Sequence, residues 1–297
     1  MSYIHTDGVE YSDDKKTLVR CPKKVTEITI LDSVTSIGEL AFWKCSGLTS
    51  IVIPDSVTGI WNSAFEGCSG LTSIVIPDSV TSIGEWAFSG CSGLTSIVIP
   101  DGVTSIREYA FSGCSGLTSI VIPDSVTSIE EGAFWGCSGL TSIVIPDSIT
   151  RIERDAFCRC SGLTSIVIPD SVTSIGESAF SGCSGLTSIS VDVNNPKYDS
   201  RNNCNAIIET ETNILIAGCK NTIIPDSITR IERDAFWGCS GLTSIVIPDG
   251  VTSIGKDAFS GCSGLKEIRI PKGTRDKFCA MPELKEYKNL LVEYKKE

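Results

Sequence analysis

The sequence predicts an α/β solenoid: a right-handed stack of short coils, with a parallel β-sheet along one side and short helical turns along another. Three observations carry that expectation. Cys45, Cys68, Cys91, Cys114, Cys137, Cys160 and Cys183 recur every 23 residues, as do Cys239 and Cys262. Apolar residues recur with them at the same spacing. Glycine closes every regular coil, at Gly47, Gly70, Gly93, Gly116, Gly139, Gly162, Gly185, Gly241 and Gly264. Such a period means that each unit buries its apolar face only by stacking on its neighbours, so the core is one continuous column.

With Leu48 as position 1, the recurrent apolar residues of a coil are Leu48, Ile51, Ile53, Val57, Ile60, Ala64, Phe65 and Cys68. Ile51 and Ile53 alternate as in a strand, so residues 50–53 join a parallel sheet. Pro54 has no N–H for the ladder and ends the strand, and Asp55-Ser56 make a turn. Val57 to Ile60 forms a second short extended piece. Residues 61–67 read as about two turns of helix. The closing glycine suits a left-handed backbone. Position 20 is usually glycine, but Lys44 and Arg159 occupy it twice, so a positive φ is not expected there.

Terminal coils must differ, because an open core end would aggregate. Residues 1–24 read as an N-terminal cap: VEYSDDKKTLVRC forms two strands around an Asp-Asp-Lys-Lys turn. Residues 272–297 place Leu284, Tyr287, Leu290, Leu291 and Tyr294 at helical spacing, a C-terminal helical cap. The array between them, 25–271, holds an irregular 33-residue coil at 186–218. There DVNNPKYDSRNNC precedes a hairpin-like AIIETETNILIAG. That coil either bends the stack or projects loop 192–205 as a contact element. Asp192, Asn194, Asn195 and Asp199 offer oxygens for calcium but lack the order and glycine of an EF-hand loop.

The pattern LxxIxIPxxVxxIxxxAFxxCxxL, over roughly residues 25–271, resembles the leucine-rich repeats of the BspA-like class, also called the Treponema-pallidum type. The ending IPKGTRDKF is similar to the close of such proteins. The resemblance implies a surface-exposed or secreted bacterial protein that binds matrix glycoproteins or other cells, without a catalytic role. The opening MSYIHTDGVEYSDDKK shows no apolar stretch after a basic one. Hence the chain is cytosolic, or its export segment lies outside this sequence.

Composition narrows the partners. Residues 36–271 carry 13 basic and 25 acidic groups, whereas 272–297 carry seven and five. An acidic body argues against nucleic acid, which needs a basic stripe. No run of about 18 apolar residues is present, so no membrane insertion is expected. The single histidine, His5, rules out Ser-His-Asp or Cys-His chemistry unless it lies far from its terminus. Cysteines 23 apart with almost no histidine do not make a zinc site. No metal, cofactor or catalytic residue is expected. The position-21 thiols would stand about 4.8 Å apart in a column, side by side, as small core hydrophobes rather than disulfides. Cys158, at variable position 19, reads as a surface thiol open to reaction.

Three surface columns are candidate binding features. Position 8 is aspartate in every regular coil: Asp32, Asp55, Asp78, Asp101, Asp124, Asp147, Asp170, Asp226 and Asp249. Each either bonds to the N–H groups of its own turn or joins a cation-binding edge. Position 5 carries Val52, Val75, Val98, Val121, Val144, Val167 and Val246, which alternation turns outward. That row either binds an apolar or extended partner or only favours β structure. Trp43, Trp61, Trp86, Trp135 and Trp237 lie at variable positions 14, 16 or 19, joined by Tyr109, on the helical edge. They are interface anchors, or they fold over neighbouring coils. The resulting reading is a non-catalytic interaction scaffold, specifically a bacterial surface adhesin for extracellular-matrix proteins or glycoproteins. The second reading is a structural module, intracellular or secreted, that self-associates.

Overall fold

The computed structural model describes residues 3–4 and 8–295. It is a parallel β-solenoid of about 12 turns. Each coil has three sides, and each side is a ladder of its own. The first sheet is built of short parallel pairs, Glu27–Thr29 with Ser50–Val52, Ser96–Val98 with Ser119–Val121, and Ser165–Ile168 with Ser188–Val191, and Ser73 bridges to Ser96. Register is set by the repeat, Ile120 lying opposite Ile97 and Ile166 opposite Ile189. The second sheet runs through Ser36–Ile37, Gly59–Ile60 and Ser82–Ile83, and further along through Ser128–Ile129, Arg151–Ile152 and Ser174–Ile175.

The third side is not helical. Positions 14–20 form tight turns: the N–H groups of positions 16, 18 and 20 donate to the next coil, and those of positions 17 and 19 donate to the carbonyl three residues back. The Phe42 N–H bonds the Ala64 carbonyl at 2.7 Å, and the Phe65 N–H bonds that of Ala87 at 2.7 Å. Two left-handed residues per coil make this geometry. One is at position 16, as in Ser63 (φ 54°), Trp86 (φ 59°) and Asp155 (φ 55°). The other is at position 20, where Lys44 (φ 54°) and Arg159 (φ 63°) adopt the same region as Gly67 and Gly90. The expectations for the two glycine columns are therefore exchanged. Position 20 takes the left-handed backbone. The closing glycine takes none, but a Cβ on Gly116 would stand 2.5 Å from the Ser92 carbonyl oxygen of the coil before. It is glycine because two backbones touch there.

Leu, Ile, Val, Ala, Phe and Cys of every coil fill the core. The position-18 rings stack from Phe42 to Phe180 with centroids 4.9–5.7 Å apart. At the N-terminus, Glu10–Tyr11 and Thr17–Arg20 form an antiparallel hairpin whose second strand pairs with Ser36–Ile37. The C-terminus departs from the expected helix. Only Arg275–Cys279 is α-helical; Pro282–Leu290 is a 3-10 run, and Leu291–Tyr294 is a strand parallel to Glu267–Pro271. Pro282 and the chance to extend the open sheet edge explain the change, since an unpaired edge is costly.

The irregular coil inserts an antiparallel hairpin, Ala206–Glu209 with Ile214–Gly218, into the second sheet. Its outer strand continues in parallel to Arg230–Ile231. On the turn side the stack skips this coil, the Gly182 N–H donating to the Trp237 carbonyl at 2.8 Å. The core accordingly divides into two clusters that meet at the hairpin.

Candidate functional site

The first sheet presents a flat, uncharged strip. From Thr49 to Val167 its outward rows are threonine, serine and valine only. The valines are exposed, Val75 by 79% and Val144 by 77%. The threonine hydroxyls bridge the coils, Thr95 Oγ1 donating to the Thr72 carbonyl at 3.2 Å and Thr118 Oγ1 to that of Thr95 at 3.2 Å. Charge returns at both ends, with Glu27 in the first coil and Glu267 and Arg269 in the last.

The aspartate column lies along one edge of this strip, and every member is exposed. The expected turn bonds are not the ones formed. The Pro54 carbonyl accepts the Val57 N–H at 3.0 Å, and Ser56 Oγ donates to the Val34 carbonyl at 2.6 Å. Asp249 meets Lys277 Nζ at 3.2 Å. Asp55, Asp78, Asp101, Asp124, Asp147 and Asp170 face solvent with no such partner among the described residues.

The aromatic residues do not form one surface. Trp86 stacks on Tyr109 at 4.2 Å, and the Tyr109 ring lies over Gly132, where a Cβ would stand 2.2 Å from its Cε1. The Tyr109 hydroxyl donates to Glu131 at 2.8 Å; burial, together with that carboxylate, pushes its pKa up to about 12. Trp135 and Trp237 both pack on the Arg159 guanidinium, at 5.3 and 5.2 Å. Trp43 holds Lys23 and Lys44 against its ring and donates to Glu66 at 3.3 Å. Trp61 is 58% exposed and has no aromatic or cationic partner among the described residues. Local packing accounts for most of this set, because positions 16 and 19 bring an aromatic ring over the turn of an adjacent coil.

The cysteines are free thiols. Their S–H groups bond to the Phe carbonyl of the preceding coil, Cys68 to Phe42 at 3.1 Å and Cys114 to Phe88 at 3.1 Å. Burial pushes the Cys137 and Cys262 thiols up to about 12, while Cys91, Cys114 and Cys160 rise well above their ordinary value. Cys45 is lowered instead, by its bond with Cys21. Cys158 corrects an expectation. It is 7% exposed, and burial raises it to about 11. The turn at position 19 tucks that small side chain inward.

Loop 192–205 uses its oxygens internally. Asp192 accepts the Asn194 N–H, Asn195 Oδ1 accepts the N–H groups of Lys197 and Tyr198, and Asp199 pairs with Arg201. Among the described residues no cluster of three metal-ligating side chains occurs. His5 lies outside the described residues. Sequence reasoning missed a cavity of about 390 Å³ where the stack skips a coil, lined by Ile175, Phe180, Ile214 and Ile216. Its acids are paired, Glu177 with Arg233, Glu232 with Arg230 and Glu209 with Lys197. The extra length of the coil was the available signal.

A solenoid with outward-facing ladders and a packed interior is a scaffold for protein interaction. The chain belongs to the BspA type leucine rich repeat family, which matches residues 15–141, 104–214 and 215–279. A leucine rich cell surface protein from Faecalibacterium prausnitzii A2-165 is 34% identical; the match covers 92% of this chain and 83% of that one, with a TM-score of 0.75. The pneumococcal vaccine antigen PcpA, 18% identical over 90% of this chain and 69% of its own, shares the fold with a TM-score of 0.55. A leucine-rich repeat protein from Eubacterium ventriosum, 22% identical over 84% of this chain and 68% of its own, does so at 0.51. No curated protein matches the sequence. No helix among the described residues is long and apolar enough to cross a membrane.

Proposed function

We propose that this protein is a non-catalytic adhesin displayed on a bacterial surface, and that its first sheet docks a matrix protein or glycoprotein. The observation that carries the reading is the uncharged valine strip on a chain of net charge −11. An apolar row of this length, edged by the solvent-facing carboxylates of Asp55 to Asp170, suits a partner that presents apolar side chains flanked by basic ones. The cell-surface relative supports the location. Self-association through the same strip is the competing outcome.

Immobilised matrix glycoproteins, probed with the wild type and with Val75→Asp/Val98→Asp/Val121→Asp, test the proposal. Because the three side chains are exposed, the variant should fold normally and lose binding at least about tenfold, a change of 1.4 kcal/mol. Retained binding would exclude the strip. Absence of binding, combined with dimers in sedimentation that the variant abolishes, would replace adhesion with assembly.

A further inference from the structure

Position 14 of three successive coils is Trp61, Gly84 and Arg107. The middle coil contributes no side chain there, and an indole and a guanidinium from coils about two strand spacings apart, roughly 9.6 Å, border one trough. The resulting trough has a volume of about 370 Å³, within the range of small-ligand sites. Ser82 and Ser105 line it along the second sheet, and Asn62 lies beside the indole.

The coil that supplies the indole departs from the repeat at three places together. Position 12 is Gly59, where other regular coils have serine or arginine. Position 14 is Trp61, where they have glycine, arginine or glutamate. Position 15 is Asn62, where every other regular coil has a charged residue. The departures fit one another. A Cβ on Gly59 would stand 3.1 Å from Ser82 Oγ and 3.8 Å from Trp61 Nε1, so position 59 borders the indole, and a longer side chain there would extend toward the ring edge. Asn62 Oδ1 accepts the Glu85 N–H at 3.0 Å, which fixes the amide and leaves its Nδ2 group without an acceptor among the described residues. Arg107 is held by Glu85 at 2.9 Å, so this wall is polar and neutral rather than cationic. Unlike Trp43, Trp86, Trp135 and Trp237, Trp61 has no aromatic or cationic partner among the described residues.

We infer that this trough is a binding site for a neutral pyranose sugar. An exposed indole offers its π-face to the C–H face of a sugar ring. The amide, the serine hydroxyls and the guanidinium–carboxylate pair supply the donors and acceptors that adjacent sugar hydroxyls require. The neutral wall disfavours phosphate or an acidic sugar, which would meet Glu85 beside Arg107. The inference deepens the adhesin reading, by giving it a glycan-recognising site on a different side of the coil from the valine strip.

The full-length chain, titrated with lactose, maltose, cellobiose and N,N′-diacetylchitobiose, tests it through the Trp61 indole N–H resonance and tryptophan fluorescence. At least one sugar should saturate with a Kd of about 1 mM. Trp61→Ala and Gly59→Ser should weaken that sugar at least about tenfold, and Trp61→Phe should keep part of the affinity. Trp61 is exposed, whereas Gly59 is buried in its strand, so the Trp61 variants carry the test and unchanged melting of each variant shows that folding is intact. If none of the four sugars saturates, or if binding survives Trp61→Ala, the inference is overturned. Binding of deglycosylated matrix protein that is lost only in the valine variant would still leave the adhesin reading standing.

Discussion

At the scale of single residues, the cysteine is the most informative side chain. Its period was legible in the sequence, and so was its core role, because a column of parallel thiols beside phenylalanine is better packed than bridged. Its hydrogen bond was not legible. The acceptor is a carbonyl 26 residues earlier, as in Cys91 to Phe65 at 3.2 Å. Burial holds these thiols neutral, with Cys158 and Cys239 near 11 and Cys137 and Cys262 near 12. Their folded values lie above the unfolded one, so the stability they contribute is complete below about pH 8.5 and is lost as pH rises toward the folded values. Denaturant midpoints should therefore fall as pH rises from about 8.5 to 10, each such thiol removing at most about 1.4 kcal/mol per pH unit in that interval. A flat profile would contradict the burial. Thiol-reactive dye at neutral pH should label half-buried Cys279 first, with Cys158 as slow as the core thiols.

At the scale of the element, the two glycine columns separate conformational need from close approach. Gly113 has φ +69°, and a Cβ there meets nothing nearer than 3.6 Å, the Gly90 Cα. Alanine at that site costs about 1 kcal/mol of left-handed strain. Gly116 has ordinary φ, but its Cβ would meet a backbone oxygen at 2.5 Å. Gly116→Ala should therefore cost more than about 2 kcal/mol, as overpacking against backbone does. Thermal melts of the two variants check the order, and a reversal would show that the coils move apart freely. One repeat unit read alone cannot assign these roles, because the atom that decides between them belongs to the neighbouring coil. For the same reason the helix expected at 61–67 is a turn: the N–H groups of Ser63, Phe65 and Gly67 find acceptors in the next coil, and those of Ala64 and Glu66 bond three residues back rather than four.

At the scale of the whole molecule, the irregular coil matters most. The turn side crosses it through Arg159, held between Trp135 and Trp237, and through Ser178 Oγ donating to Asp234 at 2.7 Å. This clamp joins the two core clusters where the first sheet is interrupted. Stability in a stacked array is a sum of coil and interface terms, so weakening one interface uncouples the ends. Trp237→Ala should split a single calorimetric transition in two, and amides of 219–291 should exchange faster than those of 48–186. One cooperative transition in the variant would show that the hairpin alone carries the coupling.

Period, apolar spacing and the valine, aspartate and cysteine columns were determined by the sequence, since each follows from a side chain repeating at a fixed place on a coil. The tertiary structure decided which columns meet. It tucked Cys158 inward, sent most aromatics onto neighbouring turns, closed the C-terminus with a strand and set Trp61 and Arg107 on one trough. Those outcomes depend on contacts between residues one coil apart, which the spacing brings into register but whose geometry only the packed backbone sets.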